Sequence, residues 1–289
     1  MGRLTRSEQI VEALLRWGLG ELRDLPWRRT RDPWGILVSE VMLQQTSVAR
    51  VLPKFEAFMQ KFPTPTSLAS APLGEALALW SGLGYPRRCR NLHRAAETIV
   101  AEHGGVVPAT LEELLALPGV GAYTARAVAC FAHGDVVAVV DVNVARVLSR
   151  VAGEPLKAAA LQRTADDLVP ADAAWEWNQV MMDFGARLCT ARAPRCSECP
   201  LSRVCAWRGE GDDPARQSAM TSRPQARFEG SDRQARGRAM RAVVAGASSR
   251  RDVTEAMGLG DDQTRARALL DDLVAEGLLR STPSGFTLP

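Results

Sequence analysis

Apolar positions recur at helical spacing from about residue 7 to 207. The run Ile36–Met59 follows this period and is interrupted near Pro53, whose ring and missing N–H oppose a continuous helix. Ser70 and Pro72 open a helix that should stop at Gly82, and a longer one follows Pro86 and ends by Gly104. Thr110 and Glu113 have capping-box spacing and begin a short helix that must end at Pro118. A further helix is predicted over about Ala122–His133, with Gly134 as its stop. Val136–Val140 is apolar enough for a buried strand, but no similar run is present to pair with it, so it reads as an extended connection inside a helical domain. From Arg208 to Ser231 the chain is polar and rich in Gly, Pro, Ser and Arg, the composition of a linker. Residues 232–289 read as three helices, the last over about Asp262–Glu276 with Leu269, Leu270 and Leu273 inward, and then two short apolar segments split by Thr-Pro-Ser-Gly. The pattern predicts an all-α protein: a helical core over 1–207, a linker over 208–231 and a small winged-helix-like unit over 232–289.

Composition narrows the class. With 289 residues, 46% of them apolar and 24% charged, the chain can bury a substantial core. A net charge of +3 is too mild to name a partner, but Arg87, Arg88, Arg90 and Arg94 form a cluster that suits either phosphate contacts or a solvated helix face. The charged, amphipathic start is unlike a secretory signal and no apolar run has membrane-spanning length, so a cytoplasmic protein is expected. In that compartment the six cysteines are poor disulfide candidates and a clustered set reads as metal or cofactor ligands.

Residues 117–125 read Leu-Pro-Gly-Val-Gly-Ala-Tyr-Thr-Ala between two helices. Gly119 and Gly121 permit backbone angles that other residues resist, and the next helix begins at once with its first amides unpaired. Such a turn can hold a phosphate against N–H groups and the helix dipole, or can be a tight turn with no ligand. The segment resembles the signature of the helix-hairpin-helix glycosylase superfamily, which includes endonuclease III and the MutY-type adenine glycosylases. In that superfamily an aspartate follows the hairpin by about twenty residues, where Asp141 stands in Val-Val-Asp-Val-Asn-Val. The resemblance covers about residues 20–207 and implies a two-subdomain helical fold that acts on double-stranded DNA.

Cys189, Cys196, Cys199 and Cys205 have the spacing C-x6-C-x2-C-x5-C, and four thiolates so placed can wrap one metal centre. Structural zinc more often uses two separate C-x2-C pairs, of which only one is present. The spacing is similar to the superfamily's [4Fe–4S] loop, which implies that cofactor. Arg192, Arg195 and Arg203 would give the loop positive charge toward a phosphate backbone. Cys89 and Cys130 fall outside the pattern and are expected to be structural.

Breaking a purine N-glycosidic bond requires protonation of the leaving base and stabilisation of positive charge on the sugar, the two services that paired carboxyl groups supply in glycoside hydrolysis. Glu40 shares a helix face with Ile36, Leu37 and Leu43, so burial should favour its neutral form. Its surroundings, Ser-Glu-Val-Met-Leu-Gln-Gln-Thr, resemble the MutY-type motif whose Glu protonates adenine. Asp141 stands where an apolar run gives way to a helix; as N-cap it should be held ionised by amides and the helix dipole. The family implies that it stabilises the oxocarbenium-like sugar and that Asn143 helps to position it.

Bifunctional relatives carry at the position of Tyr123 a lysine that forms a Schiff base and breaks the strand; a phenol cannot do this, which implies a monofunctional enzyme. By resemblance Gln45 and Tyr85 wedge into the duplex around the opposing base, and Trp27, Arg28 and Gln179 line or support the adenine pocket. MutY-type enzymes usually carry a Nudix-like C-terminal domain that checks for 8-oxoguanine. Nothing after the linker fits one, and Pro86 replaces a second tyrosine after Gly-Leu-Gly-Tyr. In this the chain resembles shortened actinobacterial members. Arg236, Arg238, Arg241, Arg250 and Arg251 of the tail are expected to be phosphate contacts. The reading is a monomeric, nucleoid-associated glycosylase that removes adenine opposite 8-oxoguanine or guanine. Its rivals are a thymine or uracil glycosylase at mismatches with guanine and a non-catalytic iron–sulfur DNA-binding protein.

Overall fold

A computed structural model describes residues 4–221 and 227–289, and over these the chain is helical apart from one short β-ribbon near the C-terminus. The first helices are α1 (Arg6–Gly18), α2 (Pro33–Leu43), α3 (Val48–Lys61), α4 (Pro65–Ala69), α5 (Leu73–Trp80), α6 (Arg87–His103) and α7 (Leu111–Ala116). They are followed by α8 (Ala122–Val128), which a π-helical turn continues to His133, α9 (Val142–Ala152), α10 (Ala158–Asp166) and α11 (Ala174–Arg187). The C-terminal elements are α12 (Asp232–Val244), α13 (Arg250–Met257), α14 (Gln263–Ala275) and the strands β1 (Arg280–Thr282) and β2 (Gly285–Thr287). Among the described residues no helix is long and apolar enough to cross a membrane.

The chain divides into two compact units, Met1–Arg31 with Gly121–Pro224, and Asp32–Val120 with Gln225–Pro289. The core of the first unit is built by Ile10 and Leu14 of α1, Val144 and Leu148 of α9, Leu161 of α10, and Trp177, Met181 and Phe184 of α11. The segment before α9 is extended and unpaired by any strand, as its sequence suggested. Side chains satisfy its backbone instead: Asn178 accepts from Val139 N at 2.7 Å and donates to Val137 O at 3.0 Å, while Asp166 accepts from Ala138 N at 3.1 Å. Residues 208–221, read as the start of a linker, pack in this unit, where Ala219 N donates to Leu156 O at 2.9 Å. Residues 222–226 of that expected linker lie outside the described residues.

In the second unit Trp34, Phe55, Phe58, Phe62, Leu77, Trp80 and Ile99 are buried, with Phe58 edge-on to Phe62 and Trp80. The break expected near Pro53 falls earlier, at Gln44–Ser47, and α3 runs through Pro53. Gln44 leaves helical geometry at ψ 112 and Ser47 opens α3 in extended conformation, so Pro53 sits early in the helix. The tail belongs to the same unit and forms the three helices and terminal ribbon that its pattern indicated. Gly285 at φ 145 is required there, since a Cβ would lie 1.9 Å from Ser248 O.

The arginine cluster of α6 is engaged within this unit. Arg87 pairs with Glu276, Arg90 donates to Glu276 O, and Arg236 of α12 meets the same carboxylate at 2.6 Å. The sequence offered phosphate contact or a solvated face for these side chains. Their partners are residues some 40 to 189 positions away, which local spacing does not disclose.

Candidate functional site

Asp141 caps α9. Its Oδ1 accepts from Asn143 N at 2.8 Å and Val144 N at 2.7 Å, and its Oδ2 accepts from Asn143 Nδ2 at 2.7 Å. The second atom of the Asn143 amide is held too, since Arg146 Nη2 donates to Oδ1 at 2.9 Å. Arg146 is buried and also donates to Gly185 O and Cys189 O. Three hydrogen bonds thus fix the carboxylate's orientation, as an N-cap requires. The direction of its acidity differs from expectation. Burial pushes the Asp141 carboxyl above the ordinary aspartate range, against the downward pull of the Val144 amide and of Asn143. Desolvation outweighs the capping amides that sequence reasoning counted as decisive.

Trp27 and Arg28 form a 3₁₀ turn, Pro26–Arg28, with Trp27 buried. Arg28 donates Nη1 and Nη2 to Asp183 of α11 at 2.8 and 2.9 Å, and Arg23 joins the same carboxylate through Nε at 2.9 Å. Burial alone would raise the pKa of Asp183, yet hydrogen bonds from Arg28 and Arg23 bring it down to about 2. The guanidinium of Arg28 is therefore occupied in holding the loop to α11. Gln179, one turn earlier on α11, is buried. Tyr123 is half-buried in the first turn of α8, whose N-cap is Gly121.

The four cysteines of the loop after α11 are unpaired by disulfides and line one pocket walled by Val147, Phe184 and Leu201. The sulfurs surround that pocket, and among the described residues no three His, Cys, Asp or Glu side chains make a single-ion site. Arg150, almost wholly buried, points Nη1 at Cys189 Sγ at 3.3 Å and pairs with Asp213 at 2.7 Å. Its backbone oxygen accepts from Cys205 Sγ at 3.2 Å and Trp207 N at 3.1 Å, so one residue touches both ends of the loop. Burial pushes the Cys199 thiol up to about 11 and raises those of Cys189 and Cys196. Four thiols, an apolar wall and a buried cation beside a sulfur fit an iron–sulfur cluster. Cys89 and Cys130 are fully buried elsewhere, in keeping with a structural role.

In the second unit Glu40 lies on α2, where every residue from Trp34 to Met42 is buried. It is the one charged side chain of that helix and is itself buried. Gln45 and Tyr85 follow α2 and α5 and share a feature rare outside glycine, left-handed backbone with φ 55 and φ 49. Arg88 joins their two loops. It donates to Val41 O and Met42 O at 2.7 and 2.9 Å, and to Thr46 Oγ1, Leu83 O and Gly84 O at 3.0 to 3.2 Å. Burial draws its guanidinium down to about 10. Tyr85 has a second cationic neighbour, since Arg233 of α12 donates to its hydroxyl at 2.9 Å. Gly119 of the hairpin needs its glycine: φ is 81, and a Cβ would meet Asn91 Cβ at 2.7 Å. Gly121 does not, being extended at φ −100 with open space where a Cβ would stand, so only one of the two hairpin glycines has the conformational reason expected.

Sequence reasoning missed Asp183, Arg146 and Arg150, and left Arg88 between a phosphate contact and a solvated face. A signal existed for the three that were missed. Asp183 interrupts an apolar stretch of α11, and Arg146 and Arg150 stand four apart in a helix α9 that is mostly apolar and buried, so each needed a buried counterpart.

Residues 38–171 match the model of the HhH-GPD superfamily base excision DNA repair protein, and residues 189–205 match the iron–sulfur binding domain of endonuclease III. The adenine DNA glycosylase of Mycolicibacterium smegmatis is 44% identical over 281 residues, covering 94% of this chain and 93% of the relative, a span that takes in most of the C-terminal helices. A thermostable thymine-DNA glycosylase is similar in structure, with TM-score 0.67 and 32% identity over 71% of this chain and 97% of the other. A trapped endonuclease III–DNA covalent intermediate follows, with TM-score 0.64 and 26% identity over 72% and 98%. With its hairpin, its capped aspartate and its cysteine loop, the chain belongs to the HhH-GPD superfamily of base excision DNA repair proteins, as a member of the adenine DNA glycosylase family with an endonuclease III-type [4Fe–4S] domain.

Proposed function

We propose that this protein hydrolyses the N-glycosidic bond of adenine mispaired with 8-oxoguanine or guanine in double-stranded DNA and leaves the abasic strand intact. The observation that carries the reading is Glu40, a single acid within an otherwise apolar, buried helix, in a member of the adenine DNA glycosylase family. Glu40 donates a proton to N7 of the adenine. The C1′–N9 bond breaks with its electron pair leaving on the base, and the cationic sugar is stabilised by the Asp141 carboxylate until water adds at C1′. Asn143 keeps that carboxylate oriented through its 2.7 Å hydrogen bond.

Trp27 and Gln179 line the adenine pocket, with Arg28 supporting it through Asp183. Gln45 and Tyr85 fill the space left beside the opposing base once adenine is extruded, and their backbone strain suits residues that a rigid frame holds in place. The hairpin at Gly119 and Gly121 takes a phosphate, the open space at Gly121 allowing close approach. Cys189, Cys196, Cys199 and Cys205 would hold the cluster, which would cross-link the loop that follows α11 to itself. The protein acts as a monomer on the nucleoid in the cytoplasm.

Single-turnover base release on a panel of duplexes tests this: adenine opposite 8-oxoguanine, guanine and cytosine, and thymine or uracil opposite guanine. Adenine release opposite 8-oxoguanine and guanine, with intact thymine and uracil, is expected. Faster release of thymine or uracil than of adenine would replace the reading with the mismatch thymine or uracil activity. No release from any duplex would leave a DNA-binding iron–sulfur protein.

A further inference from the structure

Tyr85 holds an uncommon backbone conformation, φ 49, at the end of the loop Gly-Leu-Gly-Tyr. Two guanidinium groups pack on its ring, Arg88 at 5.5 Å and Arg233 at 5.9 Å from the centroid. Arg88 is local to the loop. Arg233 comes from the first turn of α12, 148 positions along the chain, and is stacked over Phe228 at 5.1 Å.

The C-terminal helices that deliver Arg233 are tied to the rest of the unit at two places. Glu276, just after α14, receives Arg87 and Arg236, and its carbonyl oxygen receives Arg90. At the chain's end Gly74 N donates to Pro289 O at 3.0 Å. A guanidinium has only donors, so at 2.9 Å it occupies the phenol oxygen as acceptor and leaves the phenol hydrogen to be donated elsewhere. A guanine oxidised at C8 presents a carbonyl oxygen where guanine has only C–H, and a phenol committed to donation distinguishes the two.

We propose that Arg233 is a specificity-determining positioning residue: the C-terminal helices supply it to hold Tyr85 as a hydrogen-bond donor toward an oxidised guanine opposite the excised adenine. The proposal rests on the reading above that Tyr85 borders the opposing base. It assigns the tail a part in lesion choice, in place of the base-insensitive phosphate contact expected of its arginines.

The test is the ratio of single-turnover adenine-release rates opposite 8-oxoguanine and opposite guanine, in the full-length, cluster-loaded protein. Arg233→Met should lower that ratio about fivefold, the scale of one ordinary net hydrogen bond, and Arg233→Lys should restore part of it. Tyr85→Phe should lower it similarly, and the double variant should fall no further than either single one, because both remove the same interaction. A merely structural Arg233 would depress both rates together and leave the ratio unmoved. An unchanged ratio in Arg233→Met, or additive effects in the double variant, would overturn the proposal alone. Failure of the wild-type protein to release adenine from either duplex would overturn the functional reading and the proposal with it.

Discussion

Asn143 holds Asp141 from two sides, its amide N–H at Oδ1 and its side-chain Nδ2 at Oδ2, at 2.8 and 2.7 Å. A carboxylate so clamped has its orientation set before any substrate arrives. Its charge is opposed by burial, which lifts its pKa above the usual aspartate range. Since the ionised form stabilises the sugar cation, release should slow as pH falls through that raised value, and the acid limb of the single-turnover rate should lie above pH 4, the ordinary aspartate range. Asp141→Asn should cost on the order of 10²-fold or more in adenine release and remove that limb, with mismatch binding kept. Glu40→Gln should cost a similar factor through loss of the proton donor. A near-wild-type rate in either variant would refute its assignment.

Tyr123 provides no amine at the head of α8. The purified protein should give abasic sites that break only on alkali treatment, and borohydride should trap no covalent DNA adduct. Strand cleavage without alkali, by the native protein, would contradict the monofunctional reading.

The cysteine loop predicts a brown protein with about four irons per chain. Cys199→Ser should lose iron and visible absorbance, and weaken DNA binding more than the chemical step. Arg150→Met should also lower iron retention, since it removes a cation from Cys189 Sγ and leaves buried Asp213 without its partner. Iron analysis after purification checks both.

Asp183 offers a stability measurement. Its carboxyl falls from the usual 3.8 to about 2 in the folded chain, so its contribution is complete above pH 4 and is lost as pH falls from 4 toward 2. Over that window the wild type should lose about 2 kcal/mol more than Asp183→Asn. At neutral pH the variant should itself be about 3 kcal/mol less stable, because Arg28 stays buried without its counter-ion. Urea unfolding followed by helical circular dichroism at pH 7, 4 and 2 measures both quantities.

Most of the helical architecture was legible because helix stops and caps are local: Gly104, Gly134 and Asp262 each stand where the pattern changes. The cysteine loop was legible for the same reason, its ligands lying within one short segment. The place of Glu40 followed from its apolar neighbours together with the motif around it; the helical pattern by itself also fitted the edge of an amphipathic helix. What escaped were groups whose partners are remote: Arg28 with Asp183 is separated by 155 positions, and Arg87 with Glu276 by 189. A charged side chain advertises its type but not its counter-ion, so Arg87 and Arg236 resembled phosphate ligands until the carboxylate between them was seen. Asp141 erred in another way, since its capping amides are written in the sequence and the enclosure that outweighs them is not.

The extended run before α9 has one more consequence. A β-prone apolar segment with unpaired backbone groups is a template for another chain to add to. Here Val137 O and Val139 N are taken by Asn178, Ala138 N by Asp166, and Ala138 O by Arg126 and Gln162. Three helices thereby do for this segment what a neighbouring strand would do in a sheet. The stretch that leads the chain to Asp141 thus leaves few of its backbone groups for another chain to pair with, and Asn178 closes two of them.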